Sequence, residues 1–416
     1  MLTYFAEWLA LLVRWLHVTA GIAWIGASFY FVWLDNHLKP LVAAEGPDPA
    51  GADSGVAGEL WAVHGGGFYR SRKYRVAPPT LPPTLHWFYW EAYSTWLSGA
   101  ALLGLLYFVH ARAYLIDPAV AALNPAEAIA IAVGSLLLSW AVYDGLCRSA
   151  LARHESALLG TLALLLAALA CALCHLFSGR GAYMIFGASL GTIMVANVAM
   201  VIIPGQRELV RAKVQGRTVD PAPGLRGKQR SVHNTYFTLP VLFVMISNHY
   251  AMTYGSRYNW LVLVALSGAG ACVRAWFVAR HRLEGDRGLA PAVPALAALA
   301  LIIFVVWLTA PASTRNASTP AATTDAAAGA TMVPDRARVR LIVEQRCVPC
   351  HAVKPSEPGF YAPPNGLVLQ SLDQVATHAP QVQQQLVNHT MPLANLTKMS
   401  DEERAVLLAW LAQPSR

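Results

Sequence analysis

Residues 157–178 read ALLGTLALLLAALACALCHLFS and contain no Asp, Glu, Lys or Arg. A helix of this length rises about 33 Å, which is enough to cross the roughly 30 Å hydrocarbon core of a bilayer. The stretch therefore predicts a transmembrane helix, and the number of similar runs decides the fold.

Comparable apolar runs recur from the N-terminus to about residue 310. The composition agrees, because 56% of the residues are hydrophobic and 13% are charged, which is too apolar for an ordinary soluble enzyme. We count eight spans, at about 9–33, 85–109, 126–147, 157–178, 183–204, 236–253, 259–279 and 292–310. The chain is therefore predicted to be all-α, with a polytopic bundle of about eight transmembrane helices in residues 1–310 and membrane lipid around it.

Lys and Arg are concentrated in alternate connecting loops, most densely at 70–75 and 207–230, whereas the other loops contain Arg112, Arg180 and Arg257. Cationic loops resist translocation, so this pattern predicts a bacterial inner-membrane protein with both termini on the periplasmic side. The same loops account for the net charge of +8, and we do not predict nucleic acid as a partner.

The sequence becomes small and polar after the last span, where residues 311–334 read PASTRNASTPAATTDAAAGATMVP. Such a stretch has too little apolar surface to form a core, which predicts a flexible linker. Residues 335–416 then carry one helical segment before Cys347 and a closing helix that begins at the S-x-x-E capping box of Ser400 and Glu403. A domain this small needs a covalent or metal staple.

The motif Cys347-Val-Pro-Cys350-His351 supplies such a staple. In C-x-x-C-H the two thiols bond the vinyl groups of a haem and the histidine ligates its iron. A helix precedes the motif and Met391-Pro392 follows about 40 residues later, which is typical of a small all-α class I cytochrome c domain. We therefore predict one covalent haem c, with His351 and Met391 as axial iron ligands and His389 as the rival to Met391.

A second C-x-x-C-H occurs at Cys171, Cys174 and His175. It lies within a continuous apolar run, where the attachment machinery would have poor access. We predict that these are small packing thiols and not a second haem site.

Polar side chains at membrane depth are costly and mark candidate sites. His17 lies centrally in the first span, with Gly21 one turn later as a small residue that would let a flat ring approach. His233 and His249 bracket the sixth span. We predict a b-type haem or a substrate site for these three histidines; the alternative is a histidine bonded to water or backbone.

Glu91 lies about two turns into the second predicted span, within HWFYWEAYSTW. It is either a proton acceptor or the partner of an arginine across the bundle. The fifth span contains Gly187, Gly191 and Asn197, which predict close helix packing with a polar cross-link.

Several long strings resemble the bacterial membrane-bound urate oxidases, also called urate hydroxylases. They are RWLHVTAGIAWIGASFYFVWLDN, GGGFYRSRKYRVAPPTLPPTLHWFYWEAYSTWLSG, GTIMVANVAMVIIPGQRE, HNTYFTLPVLFVMISNHY, CVPCHA and TMPLANLTKMSDEERAVLLAWL. The resemblance covers nearly the whole chain and is far more specific than C-x-x-C-H alone.

The resemblance implies an eight-span domain that oxidises urate with water to 5-hydroxyisourate in purine catabolism. The electrons would pass through the fused cytochrome c to a soluble cytochrome or a terminal oxidase, without direct production of peroxide. Oxidation of a purine also needs a proton acceptor and oriented hydrogen bonds. The candidates for catalysis and substrate binding are Glu91, His17, His233, Asn234, His249 and the basic stretch Arg70–Arg75.

Two other functions fit part of the pattern. A non-catalytic electron-transfer subunit would carry b haems on the membrane histidines and pass electrons from quinol to the cytochrome. A transporter with a fused redox sensor would move its substrate without turnover.

Overall fold

The computed structural model describes residues 2–40, 55–282, 292–310, 335–357, 360, 363–387 and 390–413. The predicted linker at 311–334 and the rival ligand His389 lie outside these ranges.

Helices occur at all eight predicted spans. Their bounds and those of two short outer helices are α1 Leu2–His37, α2 Trp90–Leu102, α3 Ala111–Tyr114, α4 Pro125–Arg148, α5 Glu155–Cys174, α6 Gly179–Asn197, α7 Ile203–Val214, α8 Ala222–Ser247, α9 Ala251–Tyr254, α10 Asn259–Arg282 and α11 Val293–Thr309. Five helices of the described chain are long and apolar enough to cross a membrane, counting α6 and α7 as one. The other three are α2, which begins five residues later than predicted, α8, whose first half is polar, and the shorter α11.

The all-α prediction is wrong for residues 56–74. Strands β1 (Val56–His64) and β2 (Gly67–Tyr74) form an antiparallel hairpin. Gly65 and Gly66 join them with φ values of 56° and 80°, a left-handed geometry that glycine adopts without strain and that suits a two-residue hairpin turn. The hairpin is attached to the end of α1 by the backbone pair of Lys39 with Glu59.

Helix α6 lies at the centre of the bundle and contacts α2, α4, α5 and α8, while α10 contacts α5, α8 and α11. Tyr183, Phe186, Leu190 and Ile193 of α6 are almost fully buried. Helix α1 packs along α2 and meets α8 and α10 over a short stretch. The α1–α2 pair therefore forms one wall of the bundle.

The chain is π-helical at Val198–Ile202, directly after Asn197, so α6 and α7 run as one rod with a local widening. A second π-helical segment, Leu103–Phe108, extends α2. Such π-helical bulges are rare overall, but they occur frequently at functional sites. The bulge at Val198–Ile202 directly follows Asn197.

Residues 335–413 form a separate helical unit with its own core, which includes Val339, Val343, Val375 and Leu407. Its helices are α12 Arg336–Arg346, α13 Val348–His351, α14 Leu372–Thr377, α15 Ala379–Val387 and α16 Asp401–Leu411. The first and last of these pack on each other. The predicted capping box of Ser400 and Glu403 is present at the start of α16.

This unit contacts the bundle through the 3-10 turn Leu393–Asn395, which lies against α3. Helix α3 is in the loop between α2 and α4, at the end of the bundle with few basic residues. The segment just after Met391 is therefore the part of the unit that contacts the bundle.

The two glycines of the fifth span differ in their surroundings, which gives a test of the packing. A Cβ at Gly187 would lie 2.6 Å from Cγ1 and 3.1 Å from Cβ of Val244, whereas a Cβ at Gly191 would have no atom within 4 Å. We expect Gly187→Ala to lower the unfolding free energy by about 1–3 kcal/mol through overpacking. Gly191→Ala is the matched control on the same helix and should leave the unfolding temperature in detergent unchanged or slightly higher. Equal effects of the two substitutions would contradict the close contact of α6 with α8.

The C-terminal unit should also lose stability in acid. Arg346 holds Glu403 through two bonds, Nε–Oε2 at 3.0 Å and Nη2–Oε1 at 2.8 Å, and the hydrogen bond from Arg346 is the main cause that lowers the pKa of Glu403. A lowered folded-state pKa stabilises the unit above the ordinary pKa of about 4.5, and this contribution is lost as the pH falls through the folded value.

Glu403→Gln keeps the capping geometry but removes the charge, so it should cost up to about 1 kcal/mol at pH 7, and the cost should shrink as the pH falls through the lowered pKa of Glu403. Hydrogen exchange of the amides of 401–411, compared between the two proteins at each pH, measures this difference. Glu344→Gln, at an exposed position of α12, is the control. A difference that does not change with pH would contradict the charge-based explanation.

Candidate functional site

The C-x-x-C-H segment forms the short helix α13 directly after α12. Cys347 and Cys350 are both free thiols, and burial raises the pKa of Cys347 to about 12 and that of Cys350 to about 11. His351 is 8% exposed, and its Nδ1 donates to the carbonyl oxygen of Leu367 at 2.9 Å. This bond fixes the ring and leaves Nε2 for a metal, which is the usual arrangement of a histidine ligand.

Met391 is half-buried and lies in a loop that one arginine organises. Nη1 of the buried Arg404 donates to the carbonyl oxygen of Met391 at 2.7 Å and to that of Leu386 at 3.0 Å. Arg404 lies on α16, so the closing helix orients the loop of the predicted second ligand. The two free thiols, the oriented His351 and the thioether of Met391 are the donor set that a haem c requires.

A second candidate site is a buried polar network between α4, α6 and α8. Its members are Tyr143, Asp144, Asn197, Arg230, His233 and Asn234. The amide nitrogen of Asn197 donates to the Tyr143 hydroxyl and to Oδ1 of Asn234, both at 2.9 Å. Asn234 in turn donates to the carbonyl oxygen of Met194 at 3.0 Å. The predicted polar cross-link at Asn197 is confirmed, and it joins three helices.

His233 is the member with a free atom. It is 2% exposed, and its Nδ1 lies 2.9 Å from the Tyr143 hydroxyl, while its Nε2 is buried with no hydrogen-bond partner among the described residues. Asn197 donates to the Tyr143 hydroxyl, and Nδ1 of His233 is a stronger acceptor than the nearby sulfur of Cys147, so the hydroxyl proton is assigned to Nδ1. The proton of the neutral imidazole therefore lies on Nε2, which becomes an unused N–H donor.

The network has an ionic side. Nη2 of Arg230 contacts Oδ1 of Asp144 at 2.8 Å, the guanidinium lies 4.9 Å from the centroid of the Tyr143 ring, and Arg148 contacts Oδ2 of Asp144 at 2.6 Å. Buried charges persist where they are paired in this way. Arg230 and Asp144 therefore hold Tyr143 from the basic end of the bundle.

Sequence reasoning predicted His233 and Asn234 as site residues and missed Tyr143, Asp144 and Arg230. Asp144 could have been predicted from the sequence, because a carboxylate inside a predicted span, here 126–147, indicates a candidate site in the same way as Glu91. The role of Tyr143 depends on contacts between helices that no local pattern contains.

His17 lies against the middle of α2 and outside the network. Its Nδ1 donates to the carbonyl oxygen of Thr95 at 2.9 Å and lies 3.1 Å from Oγ of Ser98. The glycine that makes room for the ring is Gly99, where a Cβ would lie 2.9 Å from Cε1 of His17, and not Gly21. The free Nε2 leaves the haem b or substrate prediction open, and it stays a prediction.

His249 is exposed just beyond the end of α8. It lies about 24 Å from His233 by helical rise, so the two residues do not form one site. Glu91 is in the first turn of α2, where the helix dipole stabilises a carboxylate, and it has no ion-pair partner among the residues that the structure describes. The arginine pairing predicted as one alternative is therefore not seen in this part of the chain.

The basic stretch Arg70–Arg75 is half neutralised, because two carboxylates pair with three of its four cations. Arg70 and Arg72 contact Glu59 at 2.6 Å and 3.2 Å, and Lys73 pairs with Asp35. These charges stabilise the hairpin, and their partners compete with any bound anion.

The second C-x-x-C-H lies at the end of α5. Cys174 is buried, and Nδ1 of His175 donates to the carbonyl oxygen of Cys171 at 2.8 Å within its own helix. This geometry agrees with packing thiols and a capped helix end.

Residues 3–309 match the family described as urate oxidase N-terminal. The chain belongs to this family. The match identifies a urate oxidase-like N-terminal domain and indicates an oxidoreductase of urate-related chemistry. No curated protein and no solved structure matches the chain.

The hydroxyl of Tyr143 should be important for the stability of this oxidase-like domain. Tyr143→Phe leaves Nδ1 of His233 without a donor and one amide hydrogen of Asn197 without an acceptor, at an expected cost of about 1–3 kcal/mol. Thermal unfolding in detergent measures it. Tyr93→Phe is the control, because the Tyr93 hydroxyl has no partner among the described residues. Equal unfolding temperatures for Tyr143→Phe and wild type would contradict the network.

Proposed function

We propose that this protein is a membrane-bound urate oxidase that converts urate and water to 5-hydroxyisourate and passes the electrons to a c-type haem on the same chain. The reaction releases two electrons and two protons for each urate. The observation that carries the proposal is the family match over residues 3–309 followed, on one chain, by a unit whose donor set fits a haem c.

Cys347 and Cys350 would hold the haem through thioether bonds, and His351 and Met391 would ligate its iron. When bound, this group supplies one-electron transfer at a potential that a thioether ligand raises. His351 is positioned by Leu367, and the loop of Met391 by Arg404, so the surrounding residues fix both ligands.

In the membrane domain, the Nε2–H of His233 would donate to a carbonyl oxygen of urate. The Tyr143 hydroxyl keeps this tautomer in place, and Asn197 keeps the hydroxyl in place. Attack of water on the purine also needs a proton acceptor. Glu91 fits this role, because its carboxylate has no ion-pair partner among the described residues and its neighbour Ala92 belongs to a buried cluster with Val195 and Val198, on either side of Asn197.

The proposed location is the bacterial inner membrane, with both termini and the haem unit on the periplasmic side. The basic loops support this orientation, and so does the contact of the turn Leu393–Asn395 with α3 at the end of the bundle that has few cations. Because the reaction yields two electrons and a haem carries one, the haem must pass an electron to an external acceptor twice in each cycle. A soluble cytochrome or a terminal oxidase is the proposed acceptor.

An anaerobic optical titration of the full-length protein tests the proposal. Urate should reduce the haem, with an increase near 550 nm, and without an acceptor about one urate should disappear for every two haems, as the electron balance requires. Cys350→Ala should abolish covalent haem staining and urate oxidation, whereas Cys174→Ala should leave both unchanged.

Reduction by dithionite but not by urate would overturn the proposal. If quinol reduced the haem instead and a band appeared near 560 nm, the electron-transfer subunit would be the better interpretation.

A further inference from the structure

One buried arginine in the membrane domain has no partner for its charge among the carboxylates that the structure describes. Arg274 of α10 is 8% exposed, and its Nε and Nη2 are buried without a hydrogen-bond partner among the described residues. No carboxylate of the described residues lies within ion-pairing distance of its guanidinium. An unpaired buried guanidinium costs several kcal/mol, and an ionisable side chain at membrane depth therefore marks a binding site by default.

The two free atoms form one edge of the guanidinium. The N–H bonds at Nε and Nη2 point in parallel, which is the fork that binds two neighbouring acceptors of a planar group. Phe29 of α1 covers the face of the guanidinium, with 5.0 Å from Cζ to the ring centroid. The ring fixes the plane of the fork, whose two nitrogen atoms are both buried.

Helices α8 and α10 are in close contact one turn before Arg274, at Gly270, where a Cβ would lie 3.1 Å from Cβ of Leu239. The hydroxyl oxygen of Ser267 is also buried without a hydrogen-bond partner among the described residues, but it lies beyond this contact, about 10.5 Å from Arg274 along the helix. The two groups are therefore not parts of one site.

We propose that Arg274 is the residue that binds the urate anion, through a bidentate contact of its Nε–Nη2 edge with the deprotonated ring nitrogen and the adjacent carbonyl oxygen. The inference rests on the proposed function and adds the contact that would balance the charge of the substrate. Urate is anionic at neutral pH, and a ring nitrogen beside a carbonyl presents the paired acceptors that the fork requires.

The depth of Arg274 suits this role. Gly270 is level with Leu239 and Pro240, so in the antiparallel pair of α8 and α10 Arg274 is about level with Thr235 and lies within one turn of the depth of His233. The wall beside it is α1, which packs mainly along α2.

The first experiment is steady-state oxidation of urate by full-length Arg274→Gln and Arg274→Lys proteins. We expect KM to rise about 10- to 100-fold for Gln, and less for Lys, which keeps the charge but loses the fork. Arg280→Gln is the matched control, because it removes an exposed guanidinium from the same helix and should leave KM unchanged.

Thermal unfolding supplies a readout that does not depend on turnover. With the haem reduced beforehand by dithionite, urate binds without being oxidised and should raise the unfolding temperature of wild type but not of Arg274→Met. Hypoxanthine, which is uncharged at neutral pH, should not raise the unfolding temperature of the wild-type protein. Without ligand, Arg274→Met should be at least as stable as wild type, because an apolar side chain replaces an unpaired buried charge.

The outcomes separate the two hypotheses. An Arg274→Gln protein that oxidises urate with KM within twofold of wild type would overturn this inference alone, and so would a ligand-free Arg274→Met protein that is much less stable than wild type. A wild-type protein that does not oxidise urate would overturn the proposed function and the inference together.

Discussion

The hydroxyl of Tyr143 is the point at which three helices of the bundle are joined. It accepts from Asn197 of α6 and donates to His233 of α8, and Arg230 lies against its ring. Inside a membrane domain water does not compete for such groups, so each buried donor needs a partner within the protein. The arrangement of α4, α6 and α8 follows from this requirement, and the only network atom recorded without a partner among the described residues is Nε2 of His233.

The two units of the chain depend on this constraint in different ways. In the C-terminal unit, the predicted haem ligands are held by backbone bonds, with Leu367 orienting His351 and Arg404 fixing the loop of Met391. In the bundle, polar side chains orient the candidate site residues, because the backbone groups are already hydrogen-bonded within the helices. His233 lies about 21 Å by helical rise from the end of α8, near which the C-terminal unit is attached. In the proposed function, substrate chemistry and electron delivery would therefore be separated in space, and the bundle between them would have to conduct the electrons.

Features with a period or a motif could be predicted from the sequence, and features made by contacts could not. The helices occur where apolar runs predicted them, and the capping box at Ser400 is present. The hairpin at 56–74 was missed because its cations were read as a topology signal, although Gly65-Gly66 between alternating residues is a hairpin pattern. Gly99 was missed as the neighbour of His17, because the two residues are 82 positions apart and meet only when α1 packs on α2.

Two arginines show what separates structural from functional charge in this bundle. Arg230 and Arg274 are both more than nine-tenths buried and both lie against an aromatic ring, so neither the sequence nor the burial distinguishes them. Arg230 meets a carboxylate at 2.8 Å, and its charge is balanced inside the fold. Arg274 meets none among the described residues, so its charge is not balanced there, although the ring of Phe29 lies against it. A protein that keeps such a group at this depth gains from it when an anion arrives, and an oxidase of an anionic purine has that requirement.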